Sequence, residues 1–151
     1  MKWTSEDTNM FLQSKEYVDT AIIPLVQIGF GDNLKSLAAE GEYTTLITED
    51  LERQLKGRIF MLPACTYITG QMHDREKTIL QWYHELKDNF KHIFFVTSDE
   101  LWRNEGGTHK DSVIYLPPIP MEHMDESLKR KMIEDQVSQI LNIFLQSWRV
   151  S

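Results

Sequence analysis

Four short, almost uninterrupted apolar runs limit what this chain can fold into more than any other feature: AIIPLVQI (21–28), RIFMLP (58–63), HIFFVTS (92–98) and SVIYL (112–116). A strand with one wet face alternates apolar and polar residues, whereas a strand covered on both faces does not, so runs of this kind point to a parallel sheet between helices. Helical patterns lie around them. Residues 4–17 start at Thr4 or Ser5 as cap; a short helix follows Asp32-Asn33 and ends at Gly41; a second, about 44–56, carries Leu46, Ile47, Leu51 and Leu55. Residues 74–90, capped by Asp74, place Ile79, Trp82, Tyr83, Leu86 and Phe90 on one side, and residues 125–148, capped by Asp125, carry a broad stripe from Leu128 to Trp148. The expected fold is α/β: a small, largely parallel four-stranded sheet with helices on both faces, a Rossmann-like or flavodoxin-like three-layer sandwich, forming one domain over 1–151. Pro24 removes a ladder donor, which puts the first strand at an edge or starts it after the proline. Ala64-Cys65-Thr66-Tyr67 reads as a polar bend, and the fourth strand follows the third with no clear helix between them, so its direction stays open.

Charge and cysteine usage narrow the function classes. Sixteen basic against 23 acidic residues give a formal charge of −7, which opposes the phosphate field of nucleic acid and argues against it as a partner. Cys65 is the sole cysteine, so no intrachain disulfide forms and a reducing compartment fits. The N-terminal MKWTSEDTNMF lacks the apolar core of a signal peptide, and no run is long enough for a membrane span. The expectation is a cytoplasmic protein.

In an open parallel sheet, ligands bind beyond the carboxyl ends of the strands. Gly29 and Gly31 begin the turn after the first run, where glycines permit close backbone approach to an anion; the dinucleotide fingerprint fails because position 34 is Leu. Cys65 follows the second run and is the candidate nucleophile or redox thiol, with His73 and His109 as candidate bases. Thr66, Ser98 and Asp99 are candidate ligand-binding residues, and Ser98 or Asp99 equally suits the cap of a following turn. The segment Asn104–Lys110 is either a lid that brings His109 toward Cys65 or a plain surface loop. The five histidines form no metal-ligand pattern, and no cofactor is implied.

The opening MKWTSEDTNMFLQSKEYVDTAIIPLVQIGFG, with RIFMLPACTYIT and WRNEGG, resembles the YpiF-like proteins of Bacillus and related spore-forming bacteria over essentially the whole chain. From the placement of the family's genes near those for the menaquinol to cytochrome c branch of respiration, the resemblance implies an accessory or regulatory role. It assigns no activity, substrate or catalytic residue to any position.

With no converging motif, the leading expectation is a non-catalytic accessory or regulatory interaction domain with a protein partner. It should carry an exposed apolar patch, and Trp3, Tyr43, Tyr67 and Trp102 are aromatics that could reach the surface. The alternatives are a small-molecule enzyme or sensor using Cys65 at the strand ends, and a nucleotide-binding regulator using the Gly29–Asn33 turn.

Overall fold

The computed structural model describes residues 1–71, 74–103 and 107–150. Thr4 caps the first helix, α1 (Ser5–Gln13), its hydroxyl accepting from the Asp7 amide; the helix stops short of residue 17. Then come β1 (Thr20–Ile28), α2 (Leu34–Gln54), β2 (Ile59–Met61), β3 (Cys65–Ile68), α3 (Arg75–Leu86) and β4 (His92–Thr97). Two 3-10 segments, Glu100–Trp102 and Gly107–Ser112, lead to β5 (Val113–Tyr115), and α4 (Glu126–Val150) closes the chain. Asp74 and Asp125 cap α3 and α4 through the Lys77 and Leu128 amides. All pairings are parallel, in the order β2-β1-β4-β5, with β3 also on β1. This is the Rossmann-like three-layer arrangement, and β5 is parallel.

Alternate residues of the central strands feed two separate cores. Ala21, Ile23 and Leu25 of β1 with Ile93 and Phe95 of β4 pack under α1 and α3. Ile22, Phe94 and Val96 pack on the other face against Tyr43, Ile47 and Leu51 of α2 and Val137, Ile140 and Phe144 of α4. Both faces of β4, and of β1 as far as Leu25, are therefore dry, which is why these sequences do not alternate.

Three expectations are corrected. The two helices between the first strands are one, because Gly41 is an inner residue of α2 and not its stop. A Cβ there would lie 3.0 Å from Val26 Cγ1, so glycine lets the helix approach β1 closely. Second, β1 runs straight through Pro24 and is central. The Ile22 carbonyl accepts from the Leu62 amide, so even-numbered β1 residues direct their backbone groups toward β2 and β3. Pro24 therefore faces the interruption between those two strands, where no ladder donor is needed. Third, the segment 64–67 is mostly a fifth strand. Ile22 is opposite Met61 and Leu25 opposite Cys65, so three steps along β1 match four along its neighbour. That is a bulge, placed at Pro63, and it exchanges the faces of the residues beyond it.

Candidate functional site

The strand order reverses between β1 and β4, and the carboxyl ends of these strands open the crevice where such sheets bind ligands. Here the crevice is filled by the chain's own side chains. Ser98 is buried, and its Oγ accepts from the Thr44 hydroxyl at 3.2 Å. Asp99 is only 5% exposed. Its carboxylate accepts from the Tyr67 phenol and from the Leu101 amide, the latter at 3.0 Å, and so caps the Glu100–Trp102 turn. The Asp99 amide donates to Thr97 Oγ1, whose hydroxyl donates to the Leu25 carbonyl. From the far side, the fully buried Trp102 donates its indole N–H to the Tyr67 oxygen at 2.7 Å. Burial, and then the bond to Asp99, hold the Tyr67 phenol protonated far above its usual range, so the pair is a neutral donor on a carboxylate. Gln27 donates to Glu40 at 3.3 Å, and burial pushes the Glu40 carboxyl up. The space left beside these groups is about 10 Å³, the size of a single water.

The other sequence candidates are scattered. Cys65 opens β3 opposite Leu25, three residues before the end of β1. It is half-buried, packs on the α1–α3 core beside Trp82, and burial pushes its thiol up, the reverse of nucleophile activation. His109 stacks on Tyr83 of α3, ring centres 3.9 Å apart. His73 and the core of the proposed lid, 104–106, lie outside the described residues. Gly29 has a packing role: a Cβ would meet Leu37 Cδ1 at 2.8 Å and Thr69 Oγ1 at 3.1 Å. A Cβ on Gly31 would meet only Asn33 Oδ1, at an ordinary 3.7 Å, and Asn33 makes no side-chain capping bond. Thr66 is exposed on β3. Among the described residues, no cluster of three His, Cys, Asp or Glu side chains could hold a metal ion, and no helix is long and apolar enough to cross a membrane.

An open aromatic concavity lies elsewhere, between α1 and α3. It measures about 540 Å³, and Trp3, Phe11, Leu12, Phe60, Trp82 and Phe90 line it, with Lys15, Glu85 and Asn89 among the polar residues. Its floor is an aromatic cluster: Phe11 stacks on Phe90 at 5.4 Å and meets Phe60 edge-on at 5.3 Å. Trp3 and Leu12 stand about two-thirds exposed, at 65% and 64%. A second apolar groove, about 450 Å³, runs along α2 and the far side of β1 and β3, with Phe30, Leu34 and Thr66 in its lining. Of the aromatics expected at the surface, Trp3 alone is exposed. Tyr43 and Trp102 are completely buried and Tyr67 partly so; burial pushes the Tyr43 phenol up to about 12.

Sequence reasoning found Ser98 and Asp99 but not their partners Thr44, Tyr67 and Trp102. The available signal was the run of strand-forming residues Thr66, Tyr67 and Ile68, which the preceding Pro63 obscured.

A family model described as "Protein of unknown function (DUF2487)" matches residues 9–148. "Uncharacterized protein YpiF" of Bacillus subtilis (strain 168) is 41% identical over 152 residues, covering 98% of this chain and 98% of that protein. No solved structure matches the chain significantly. The match of the family model over nearly the whole length, together with an aligned relative of the same length, places the chain in the DUF2487 family, to which it belongs alongside the YpiF-like proteins.

Proposed function

We propose that the protein is a non-catalytic, cytoplasmic interaction domain whose partner seats an amphipathic helix in the groove between α1 and α3. The observation that carries this reading is the contrast in occupancy: the strand-end crevice is filled by hydrogen-bonded side chains, while the α1–α3 groove is open, aromatic and lined by exposed Trp3 and Leu12. Interface anchors are most often tryptophan and other large rings in desolvated pockets. With helices of nine and 12 residues as walls, the groove is about 15 Å long, enough for two to three turns of a partner helix presenting apolar residues at i, i+3 or i+4, and i+7. Lys15 and Glu85 supply opposite charges for its polar margin.

The alternatives draw less support. A reactive Cys65 needs a depressed thiol pKa, and burial works against it. A phosphate at the Gly29–Asn33 turn would meet Asp32 and an N-terminus whose glycine is used for packing. The test is quantitative capture from the native cytoplasm with wild-type protein and with Leu12→Lys. A stoichiometric partner held by wild type and lost by the variant, with the variant's melting temperature unchanged, is the expected result. Equal retention by both would remove the groove from the account.

A further inference from the structure

The amino ends of the strands carry a second polar cluster, and it holds the end of α4. Thr20 opens β1, Arg58 precedes β2 and His92 opens β4. The backbone ties the three together: the His92 amide donates to the Asp19 carbonyl and the Thr20 amide to the Arg58 carbonyl. Two side chains of α4 reach into this corner. The Trp148 indole N–H donates to Thr20 Oγ1 at 2.8 Å, with the Arg58 guanidinium 3.7 Å from the ring centre. Arg58 in turn grips Asp19 through two bonds, of 3.0 and 3.1 Å. Ser147 Oγ lies 3.0 Å from His92 Nδ1. The buried residues of α4 are Val137, Ile140 and Phe144, so beyond Phe144 the helix leaves the core and leans on this clasp. Leu145, Gln146, Arg149 and Val150 around it are exposed.

His92 sets a condition on the cluster. It is 7% exposed, and its Nε2 has no partner among the described residues. A neutral imidazole has one N–H and one lone pair, so it can make its bond to Ser147 without a buried charge. A protonated ring carries two donors, and the N–H on Nε2 is then a buried charged donor with nothing to accept it. The charges facing the ring are Asp19 before β1, Arg58 before β2 and Lys91 beside it, while from α4 it meets the neutral Ser147. Against its burial, bonds from Arg58 and Thr20 hold the Asp19 carboxyl below the usual carboxylate range. The Asp19–Arg58 pair therefore stays charged while an imidazole titrates.

We propose that residues 145–150 form an acid-released clasp: protonation of His92 loosens the end of α4 from the sheet, while the helix up to Phe144 stays docked. This end of the fold yields most easily, because a helical turn without tertiary contacts is not stable by itself. Release gives the His92 ring access to water, uncovers Thr20 and takes the Trp148 ring away from Arg58. Burial lowers the affinity of His92 for a proton in the closed form, whereas the open form has the ordinary value of 6.5. The closed form is therefore favoured at neutral pH and loses that advantage as the pH falls below 6.5. None of these residues lines the α1–α3 groove, so the clasp and the function proposed above stand or fall separately.

The test is amide hydrogen exchange of the full chain at about pH 7.5 and about pH 5.5, corrected for the chemical rate at each pH, for wild type, His92→Asn and Ser147→Ala. In wild type the amides of residues 147–150 are expected to exchange by local opening, faster than those of Phe94 and Phe95 in β4, with an opening constant that rises at least about threefold on acidification. His92→Asn should remove that rise, and Ser147→Ala should open more at both pH values and keep it. The His92 ring of wild type, followed by NMR, should titrate over the same pH range, a readout that holds even where the Asn variant fails to fold. A ring that titrates with no added opening at 147–150 overturns the proposal. So does an equal rise in His92→Asn, or exchange of 147–150 only together with Phe94 and Phe95 in global unfolding.

Discussion

The strand-end crevice and the α1–α3 groove are built from similar materials, aromatic rings with a few polar groups, yet one is closed and the other open. In the crevice each polar group has a partner within the chain: Trp102 donates to Tyr67, Tyr67 to Asp99, and Asp99 accepts again from Leu101. Satisfied and buried, such a network is stable as it stands. In the groove, Phe11, Phe60 and Phe90 satisfy one another as rings, but Trp3 and Leu12 project beyond them into solvent. The difference teaches that position in a fold does not define a site. The switch point of this Rossmann-like sheet holds a hydrogen-bonded clasp, and an open aromatic surface lies on a helical face.

Substitutions that break this contrast should rank accordingly. Trp102→Ala removes a fully buried ring and leaves Tyr67 without its indole donor; we expect a loss of about 3–5 kcal/mol in urea unfolding. Asp99→Asn keeps the shape but gives up the charge on which the Tyr67 phenol is bonded, and should cost about 2 kcal/mol by the same measurement. Leu12→Lys, at an exposed position of the groove, should change stability by less than about 0.5 kcal/mol while abolishing partner capture. If the crevice substitutions prove as mild as the groove substitution, the clasp is not structural and the contrast collapses.

The smallest effect concerns the opposite end of the sheet. His92 is 7% exposed, its Nδ1 is 3.0 Å from Ser147 Oγ on α4, and its buried Nε2 has no partner among the described residues. Burial lowers its pKa below the ordinary 6.5, against the pull of Asp19 and with the push of Arg58 and Lys91. Below that value the unfolded chain binds a proton that the folded chain refuses, so this contribution to stability is intact at neutral pH and declines as the pH falls through 6.5. The melting temperature between about pH 7.5 and pH 5.5 should therefore fall less steeply for His92→Asn than for wild type.

The sheet was legible because double burial writes itself as unbroken apolar runs, and the caps Thr4, Asp74 and Asp125 were legible because capping chemistry is local. Two features were not. Gly41 looked like a helix stop, and only its distance to Val26 across the layer explains it as a close approach. β3 was hidden by the bulge at Pro63: Phe60 and Leu62 share a face with Cys65 and Tyr67, a change of parity that strict alternation cannot follow. With β3 unseen, Tyr67 had no place beside Asp99, and the closed state of the crevice could not be read from the chain.

The four tryptophans permit the most direct test of the central claim. Trp3 and Trp82 line the groove, Trp102 lies in the clasp and Trp148 on α4. Fluorine NMR of protein labelled with 5-fluorotryptophan, titrated first with the small-molecule fraction and then with the protein fraction of a native cell lysate, reads the regions separately. The account predicts that the protein fraction shifts or broadens the Trp3 and Trp82 resonances and that neither fraction moves Trp102. A Trp102 resonance that shifts with the small-molecule fraction, while Trp3 and Trp82 stay fixed, would contradict it and return the function to the strand ends.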